Sequence, residues 1–176
     1  QGHENVVYGC AIHPSGDTIV SASYDHTLKI WDARTGVEQR TLRGHTGRVY
    51  RCAINPAGDT IVSASYDHTL KIWDARTGEE RFTLLGHTNE VEGCAISPSG
   101  DYIVSASGDG TLKVWDAHSG EERLTLLGHT DEVRGCAISP AGDFIVSASN
   151  DWTLKVWDAH TGTCLCTCLL YTSDAA

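Results

Sequence analysis

The sequence repeats itself four times with a period of 42 residues. The segment Ile61–Asp74 occurs almost letter for letter in every copy, and each copy ends in Trp-Asp, at 31/32, 73/74, 115/116 and 157/158. A Gly-His pair keeps the same spacing, at 2/3, 44/45, 86/87 and 128/129. Self-similarity at a fixed period of about 20–50 residues indicates stacked structural units, because one such unit cannot bury its own faces.

A single repeat predicts four short strands. In the second repeat we expect strands at 49–54, 61–65, 69–73 and 80–84, where apolar and β-branched residues cluster. Between the first two strands lies Asn55–Asp59, which contains Pro and Gly, and between the next two lies a tight turn at Tyr66–His68. No helical period occurs, so each repeat is predicted to form one antiparallel sheet.

Composition narrows the classes of partner. The chain has 23 acidic and 13 basic residues, a net charge of −10. An acidic chain without a run of Lys or Arg would repel nucleic acid, so no nucleic-acid partner is expected. No stretch of about 18 apolar residues is present, and the N-terminus does not resemble a signal peptide, so no membrane contact is expected either.

Four of the seven cysteines keep the 42-residue spacing, at Cys10, Cys52, Cys94 and Cys136. We expect each to be a small buried apolar residue in a strand, as free cysteines usually are. No close Cys pair, phosphate-binding loop or metal-spaced His/Cys cluster is present, so no cofactor and no metal are expected. Unpaired, repeated cysteines suit the reducing cytoplasm, which is the expected location.

The Gly-His and Trp-Asp pairs, about 28 residues apart in all four copies, resemble those of the WD-repeat β-propeller family. That resemblance implies an all-β fold in which each repeat is one four-stranded antiparallel blade. The blades would span residues 2–43, 44–85, 86–127 and 128–167, and together form a propeller domain at 1–167. The near-identical copies most resemble the long arrays of bacterial WD-repeat proteins.

The two ends of the chain break the pattern. Residues 168–176 read Cys-Leu-Leu-Tyr-Thr-Ser-Asp-Ala-Ala, which resembles a translated sequencing adapter, so we expect a non-native or disordered tail there; a natural short tail is the alternative. The chain is then expected to be a fragment, a partial arc of a ring of seven or eight blades. Further blades would close that ring, or two copies of the chain would associate to complete it.

The resemblance also implies a hydrogen-bonded tetrad of His, Ser, Asp and Trp in every blade. A buried Trp needs a partner for its indole N–H, which a Ser hydroxyl can provide, while Asp would fix the His tautomer. The four sets are His3, Ser21, Asp25 and Trp31; His45, Ser63, Asp67 and Trp73; His87, Ser105, Asp109 and Trp115; and His129, Ser147, Asp151 and Trp157.

The same residues also invite a hydrolase interpretation, since Ser, His and Asp form the catalytic triad of many hydrolases. A nucleophilic Ser normally occurs once, exposed on a special turn, rather than four times inside strands. The Trp ten residues after each Ser gives the hydroxyl a structural role instead. We therefore predict that the chain is not an enzyme.

Positions that differ among the copies concentrate just after Gly-His and around the turn Asp. In the resembled family these two loops lie on one rim, the top face, where partners usually dock. The candidate partner-binding residues are Val6, Tyr8, Tyr24, Arg48, Tyr50, Arg51, Tyr66, Glu90, Glu92, Glu132, Arg134, Asn150 and Trp152.

The sequence thus predicts a non-catalytic interaction scaffold that binds a protein or peptide across the top face. Tyr and Arg dominate the candidates in the first two repeats, and both are enriched at interface hot spots. Two alternatives remain open. The variable residues could reflect divergence at unconstrained exposed sites, and the blades could be structural spacers of a larger protein.

Overall fold

The computed structural model describes residues 2–169, and the regular structure there is all β-strand. Within those residues, sixteen strands form four antiparallel four-stranded sheets, each in sequence order, which we call blades 1 to 4. Blades 1 and 2 comprise β1 Val7–Ile12, β2 Thr18–Ser23, β3 Thr27–Asp32, β4 Glu38–Arg43, β5 Val49–Ile54, β6 Thr60–Ser65, β7 Leu70–Asp74 and β8 Glu80–Leu84. Blades 3 and 4 comprise β9 Val91–Ile96, β10 Tyr102–Ser107, β11 Leu112–Asp116, β12 Glu122–Leu126, β13 Val133–Ile138, β14 Phe144–Ser149, β15 Thr153–Asp158 and β16 Cys164–Leu169.

The four blades stand side by side in sequence order. Their first strands, β1, β5, β9 and β13, are the innermost, and each contacts the first strand of the next blade. This arrangement is a partial β-propeller, which confirms the fold class expected from the repeat.

The hydrophobic core lies between the blades rather than within them. Three clusters of buried side chains fill the three boundaries between successive blades. We call the face that a blade turns toward the next blade in the sequence its trailing face, and the face that it turns toward the previous blade its leading face. At the first boundary the trailing face of blade 1 presents Val20, Ala22, Leu28, Ile30 and Leu42. The leading face of blade 2 presents Val49, Cys52, Ile54, Ile61, Trp73 and Ala75. The residues 42 and 84 positions further on form the other two boundaries.

Trp73 illustrates what each boundary contributes. Its side chain is almost completely buried against blade 1. A buried Trp removes about 150–250 Å² from water, an upper bound of about 4–6 kcal/mol at about 25 cal/mol per Å². Because the partner surface belongs to another repeat, this stabilisation exists only when blades stack.

Burial of the repeated cysteines also depends on a neighbouring blade. All seven cysteines are free, and Cys52 is buried between blades, where burial raises the pKa of its thiol to about 12. Cys94 and Cys136 are partly buried, but Cys10 is exposed. The expectation of burial is therefore wrong for Cys10, because no blade covers the leading face of blade 1 within residues 2–169.

The last strand continues slightly beyond residue 167, where the sequence analysis ended the propeller. In β16, Cys168 pairs with Leu154 and Leu169 pairs with Thr153, in the places that Leu42 and Arg43 occupy in blade 1. Backbone pairing with β15 continues although the side-chain pattern has changed. The remainder of the expected tail, 170–176, lies outside the described residues.

Each predicted tetrad is joined by the same three hydrogen bonds. His Nδ1 lies 2.7–2.8 Å from Asp Oδ2, His Nε2 lies 2.6–2.7 Å from Ser Oγ, and Trp Nε1 lies 2.7–2.9 Å from that Ser Oγ. The indole can only donate, so the Ser oxygen accepts from Trp and its hydrogen goes to His Nε2. His Nδ1 therefore carries the hydrogen that is donated to Asp.

The aspartate of the tetrad is more heavily bonded than the sequence analysis expected. Asp67 also accepts from the Thr46 amide at 3.0 Å, the Thr69 amide at 3.1 Å and the Thr69 hydroxyl at 2.6 Å. Burial by itself would raise the pKa of Asp67, but these bonds and the one from His45 outweigh it and hold the pKa far below its usual range. A Thr stands two residues after each turn Asp, and this regular spacing was the sequence signal for it.

We predict that Asp67→Ala lowers the free energy of unfolding by more than about 1 kcal/mol, because it leaves several buried donors without a partner. Chemical denaturation monitored by circular dichroism measures this. Asp143→Ala, at an exposed position, is the control and should change the free energy by less than about 0.5 kcal/mol. An unchanged free energy of unfolding for Asp67→Ala would contradict the prediction.

The lowered pKa of Asp67 also predicts a pH dependence. A carboxyl whose pKa is lower in the folded state contributes stability above its unfolded pKa of about 3.9, and this is lost as the pH falls below that value. The free-energy difference between the unsubstituted chain and Asp67→Asn should therefore shrink as the pH falls from about 5 to about 2. Denaturation curves at a series of pH values test this, and a pH-independent difference would count against it.

Candidate functional site

The two variable loops of each blade meet on one rim, which we call the top rim. In blade 1 the Tyr24 amide donates to the Val6 carbonyl at 2.8 Å, and in blade 2 the Tyr66 amide donates to the Arg48 carbonyl at 2.9 Å. The equivalent bonds in blades 3 and 4 end at the carbonyls of Glu90 and Glu132, both at 2.9 Å. The loop before the first strand and the turn after the second strand therefore form one surface in every blade.

A β-bulge interrupts the first strand of each blade at this rim. In blade 2, Val49 pairs with Ser65 and Arg51 pairs with Ala64, which leaves Tyr50 unpaired between them. The corresponding unpaired residues in the other blades are Tyr8, Glu92 and Arg134. A bulge locally re-aims the strand, so one variable side chain per blade emerges beside the rim.

This bulge differs from the regular strand that the sequence predicts at 49–54. Val49 and Cys52 both pack into the same core cluster although they are three residues apart. In a regular strand an odd separation puts two side chains on opposite faces. Two apolar residues at this odd spacing in every repeat were the available signal.

The turn between the second and third strands contains a residue with positive φ in every blade. Gly110 has φ +82°, whereas His26, His68 and Trp152 have φ between 67° and 68° without being glycine. Non-glycine residues in this region cost about 1–3 kcal/mol. Trp152 thus shares a conformational role with its counterparts, and its side chain is 73% exposed on the top rim.

Blades 1 and 2 bring five of the predicted residues together in what we call the aromatic cluster: Tyr8, Tyr24, Arg48, Tyr50 and Tyr66. The Arg48 guanidinium carbon lies 4.3 Å from the ring centre of Tyr66, 5.3 Å from Tyr24 and 5.5 Å from Tyr50. The ring of Tyr8 lies 5.5 Å from that of Tyr50 and 6.3 Å from that of Tyr24. These separations allow cation–π and aromatic contacts, which hold the cluster in one arrangement.

Blades 3 and 4 bring together four other predicted residues, which form the polar network: Glu92, Glu132, Arg134 and Asn150. The Arg134 guanidinium forms ion pairs with both Glu92 and Glu132, and its Nε donates to Asn150 Oδ1 at 3.1 Å. Asn150 Nδ2 in turn donates to Glu132 Oε2 at 3.0 Å. Burial raises the pKa of Glu92, an effect that Arg134 opposes but does not cancel.

The remaining candidate residues belong to neither of these two sets. Exposed Val6 borders the aromatic cluster in its loop. Burial raises the pKa of Tyr50; the charge of Arg48 opposes this effect, and the charges of Glu90 and Glu92 add to it. Arg51 points elsewhere, because it follows the bulge and its Nη1 donates to the Tyr8 carbonyl at 3.4 Å along the inner strands.

The tetrad reproduces the hydrogen-bond order of a Ser-His-Asp triad but not its accessibility. Ser63 is fully buried, and its oxygen already accepts a hydrogen bond from the Trp73 indole. A nucleophile needs a free lone pair and room for a carbonyl carbon. Within residues 2–169, moreover, no three His, Cys, Asp or Glu side chains converge as metal ligands, and no helix is long and apolar enough to cross a membrane.

We predict that a fluorophosphonate probe does not label Ser63 or its equivalents in the folded protein, because the oxygen is buried and bonded to Trp73. Intact-mass and peptide mass spectrometry measure labelling. A serine hydrolase in the same reaction confirms that the probe is active, and adduct formation at Ser63 would contradict the structural role of the tetrad.

Comparison with known proteins agrees with this architecture. A family model described as "WD domain, G-beta repeat" matches residues 1–32, 36–74, 78–116 and 120–158. A 44-residue segment is 43% identical to coronin-7 of Bos taurus and of Mus musculus, covering 24% of this chain and 5% of coronin-7. A 42-residue segment is 45% identical to the Lissencephaly-1 homolog of Dictyostelium discoideum, covering 24% of this chain and 10% of that protein. Since the family model matches most of the sequence and each matched segment ends on a Trp-Asp pair, the chain belongs to the WD-domain, G-beta repeat family.

Proposed function

We propose that the chain is a non-catalytic scaffold that binds a protein or peptide partner on its top rim. The observation that carries this proposal is the aromatic cluster, in which four tyrosines from two blades surround Arg48. Tyr and Arg are the residue types that most often dominate binding energy at protein interfaces. Membership of a WD-repeat family is consistent with a scaffold role.

The cluster is suited to binding because it is both ordered and accessible. Tyr8, Tyr24 and Tyr66 are each about two-fifths exposed although they contact one another or Arg48. Side chains that are already held in place lose less conformational freedom when a partner docks. Tyr50 lies at the bulge of its strand, and Tyr66 directly precedes Asp67 of the tetrad.

Charge on the rim supports a particular orientation of the partner. In the described part of the chain, the ion pairs of the rim use Arg134, and no carboxylate pairs with Arg48, which lies over tyrosine rings. The Arg48 guanidinium therefore keeps donors available for a carboxylate of the partner. Glu90, Glu92 and Glu132 outnumber Arg134 in blades 3 and 4, so an acidic segment would be directed toward blades 1 and 2.

The alternative is that these blades are structural spacers whose variable residues diverged without constraint. Four tyrosines that gather around one cation, Arg48, favour the docking proposal over independent divergence. We place the protein in the cytoplasm, because its seven free cysteines suit a reducing compartment. The matched segments cover only a small part of coronin-7 and of the Lissencephaly-1 homolog, so no activity or partner of those proteins is transferred.

We predict that peptides selected from a random library on the immobilised protein are rich in Asp or Glu. The double substitution Tyr50→Ala, Tyr66→Ala should weaken their binding at least about tenfold, which is the effect of losing one hot-spot contact. Calorimetry measures binding, and the thermal melt should stay intact. The double substitution Arg76→Ala, His118→Ala changes exposed residues on the opposite rim and serves as the control. Equal binding by both variants would refute the placement.

A further inference from the structure

The rim opposite the top rim, which we call the bottom rim, carries a cleft at each boundary between two blades. There the turn after the third strand meets the loop after the first strand, and in blade 2 the Ala75 amide donates to the Asp59 carbonyl at 2.9 Å. The clefts have volumes of about 220, 260 and 360 Å³ in chain order. Each cleft lies between two described blades, and positions 42 residues apart line all three.

The first cleft, between blades 1 and 2, has an apolar floor. Val20 and Ile30 of blade 1 and Ile54 and Ile61 of blade 2 form it. The same side chains pack in the core cluster of this boundary, so the floor is already in place before a ligand arrives. A volume of about 220 Å³ is below the range of about 300–1,000 Å³ for pockets that hold drug-sized ligands. The cleft therefore suits a single apolar side chain.

The mouth of the first cleft differs from the other two in charge. Arg40 and Arg76 line it, and among the residues that the structure describes no carboxylate does. Asp59 lines the second cleft, and Asp101 and Asp143 line the third. In a chain with a net charge of −10, this boundary thus presents two cations beside an apolar floor.

Arg40 is not required by the packing of the blade. Phe82 and Leu124 occupy its place in blades 2 and 3. The Arg40 side chain crosses to blade 2 and lies against Gly78, where a Cβ atom would collide with it, and its Nη1 donates to the Thr77 carbonyl at 2.7 Å. A guanidinium has five N–H donors, so donors remain for a ligand.

His13 crosses the boundary on the other side of the mouth. Its Nε2 donates to the Gly58 carbonyl at 3.0 Å, while its Nδ1 accepts from the Ser15 amide at 3.1 Å. Two side chains of blade 1 are thus fixed to the backbone of blade 2 around the cleft. A mouth that is ordered in advance loses less conformational freedom when a ligand binds.

Arg76 is exposed at the edge of the same mouth. In blade 1 the equivalent Arg34 pairs with Asp17. The carboxylate of Asp59, which corresponds to Asp17, accepts instead from two neighbouring side chains of blade 2. This leaves the Arg76 guanidinium available to an anion.

We propose that the first cleft binds the C-terminal residue of a peptide whose last side chain is apolar. The side chain enters the floor, and the terminal carboxylate pairs with Arg40 and Arg76, since guanidinium groups bind carboxylates through paired hydrogen bonds. A terminal residue carries both groups on one Cα atom, so both fit a cavity of this size. Capture of a C-terminal carboxylate is a recurring mode of peptide recognition. The site does not rest on the aromatic cluster, which lies on the opposite rim.

Titration of the peptide Gly-Gly-Ser-Gly-Leu into the isotope-labelled chain tests this proposal by nuclear magnetic resonance. The amide signals of Gly58 and Gly78 should shift on binding. The same peptide with a C-terminal amide should bind at least about tenfold more weakly, because it lacks the charge. A peptide that ends in Ser with a free carboxylate should lose about as much, because it leaves the apolar floor empty.

A double variant then tests the two cations. Arg40→Leu introduces the residue of blade 3 at this place, and Arg76→Gln removes the second charge. Together they should weaken binding of the Leu peptide at least about tenfold and leave the thermal melt intact. The matched control is Arg34→Gln with Arg43→Gln, which removes two exposed charges outside the cleft and should bind the peptide as the unsubstituted chain does.

Several results would overturn the proposal. They are no binding of the Leu peptide at millimolar concentration, equal binding of the acid and the amide, and equal binding by the cleft variant and its control. Signal shifts confined to the top rim would also exclude the cleft. The variant Tyr50→Ala, Tyr66→Ala should bind the Leu peptide normally, so failure of this site and failure of the top rim are distinguishable.

Discussion

The structure depends on apolar contact between neighbouring blades. A four-stranded sheet of 42 residues has two faces and too few side chains to cover either, so each blade is stabilised by the surface of the next. The large Trp side chain of each leading face makes this dependence strong, since Trp73, Trp115 and Trp157 are almost completely buried at the boundaries.

A buried tryptophan needs a hydrogen-bond acceptor for its indole N–H, and the tetrad provides one. The indole N–H is satisfied by Ser, Ser is oriented by His, and His is fixed by an Asp that also binds two loop amides. One polar chain thus links the boundary between blades to the top rim. This link gives the loops a fixed base, on which the tyrosines of blades 1 and 2 and the charged groups of blades 3 and 4 vary without disturbing the blade.

Many residues of the candidate site could be predicted from their positions in the repeat. Their grouping into clusters could not, because it depends on contacts between repeats. The sequence marked Tyr50 and Tyr66 as positions that vary among the repeats, and the resemblance to the WD-repeat family implied that their loops lie on one rim. It did not indicate that Arg48 would sit over the rings of Tyr24 and Tyr66, which belong to different blades. Nor did it separate Arg51 from this group, since only the bulge at Tyr50 turns the neighbouring residue toward the inner strands.

The sequence by itself determined the period of the unit and its four strands, and its resemblance to the WD-repeat family implied the residues of the tetrad. These are local or repeated features, and each is encoded within 42 residues. The tertiary structure decided which side chains become neighbours across blades. Those neighbours belong to different repeats that pack against each other, so no pattern within a single repeat specifies them.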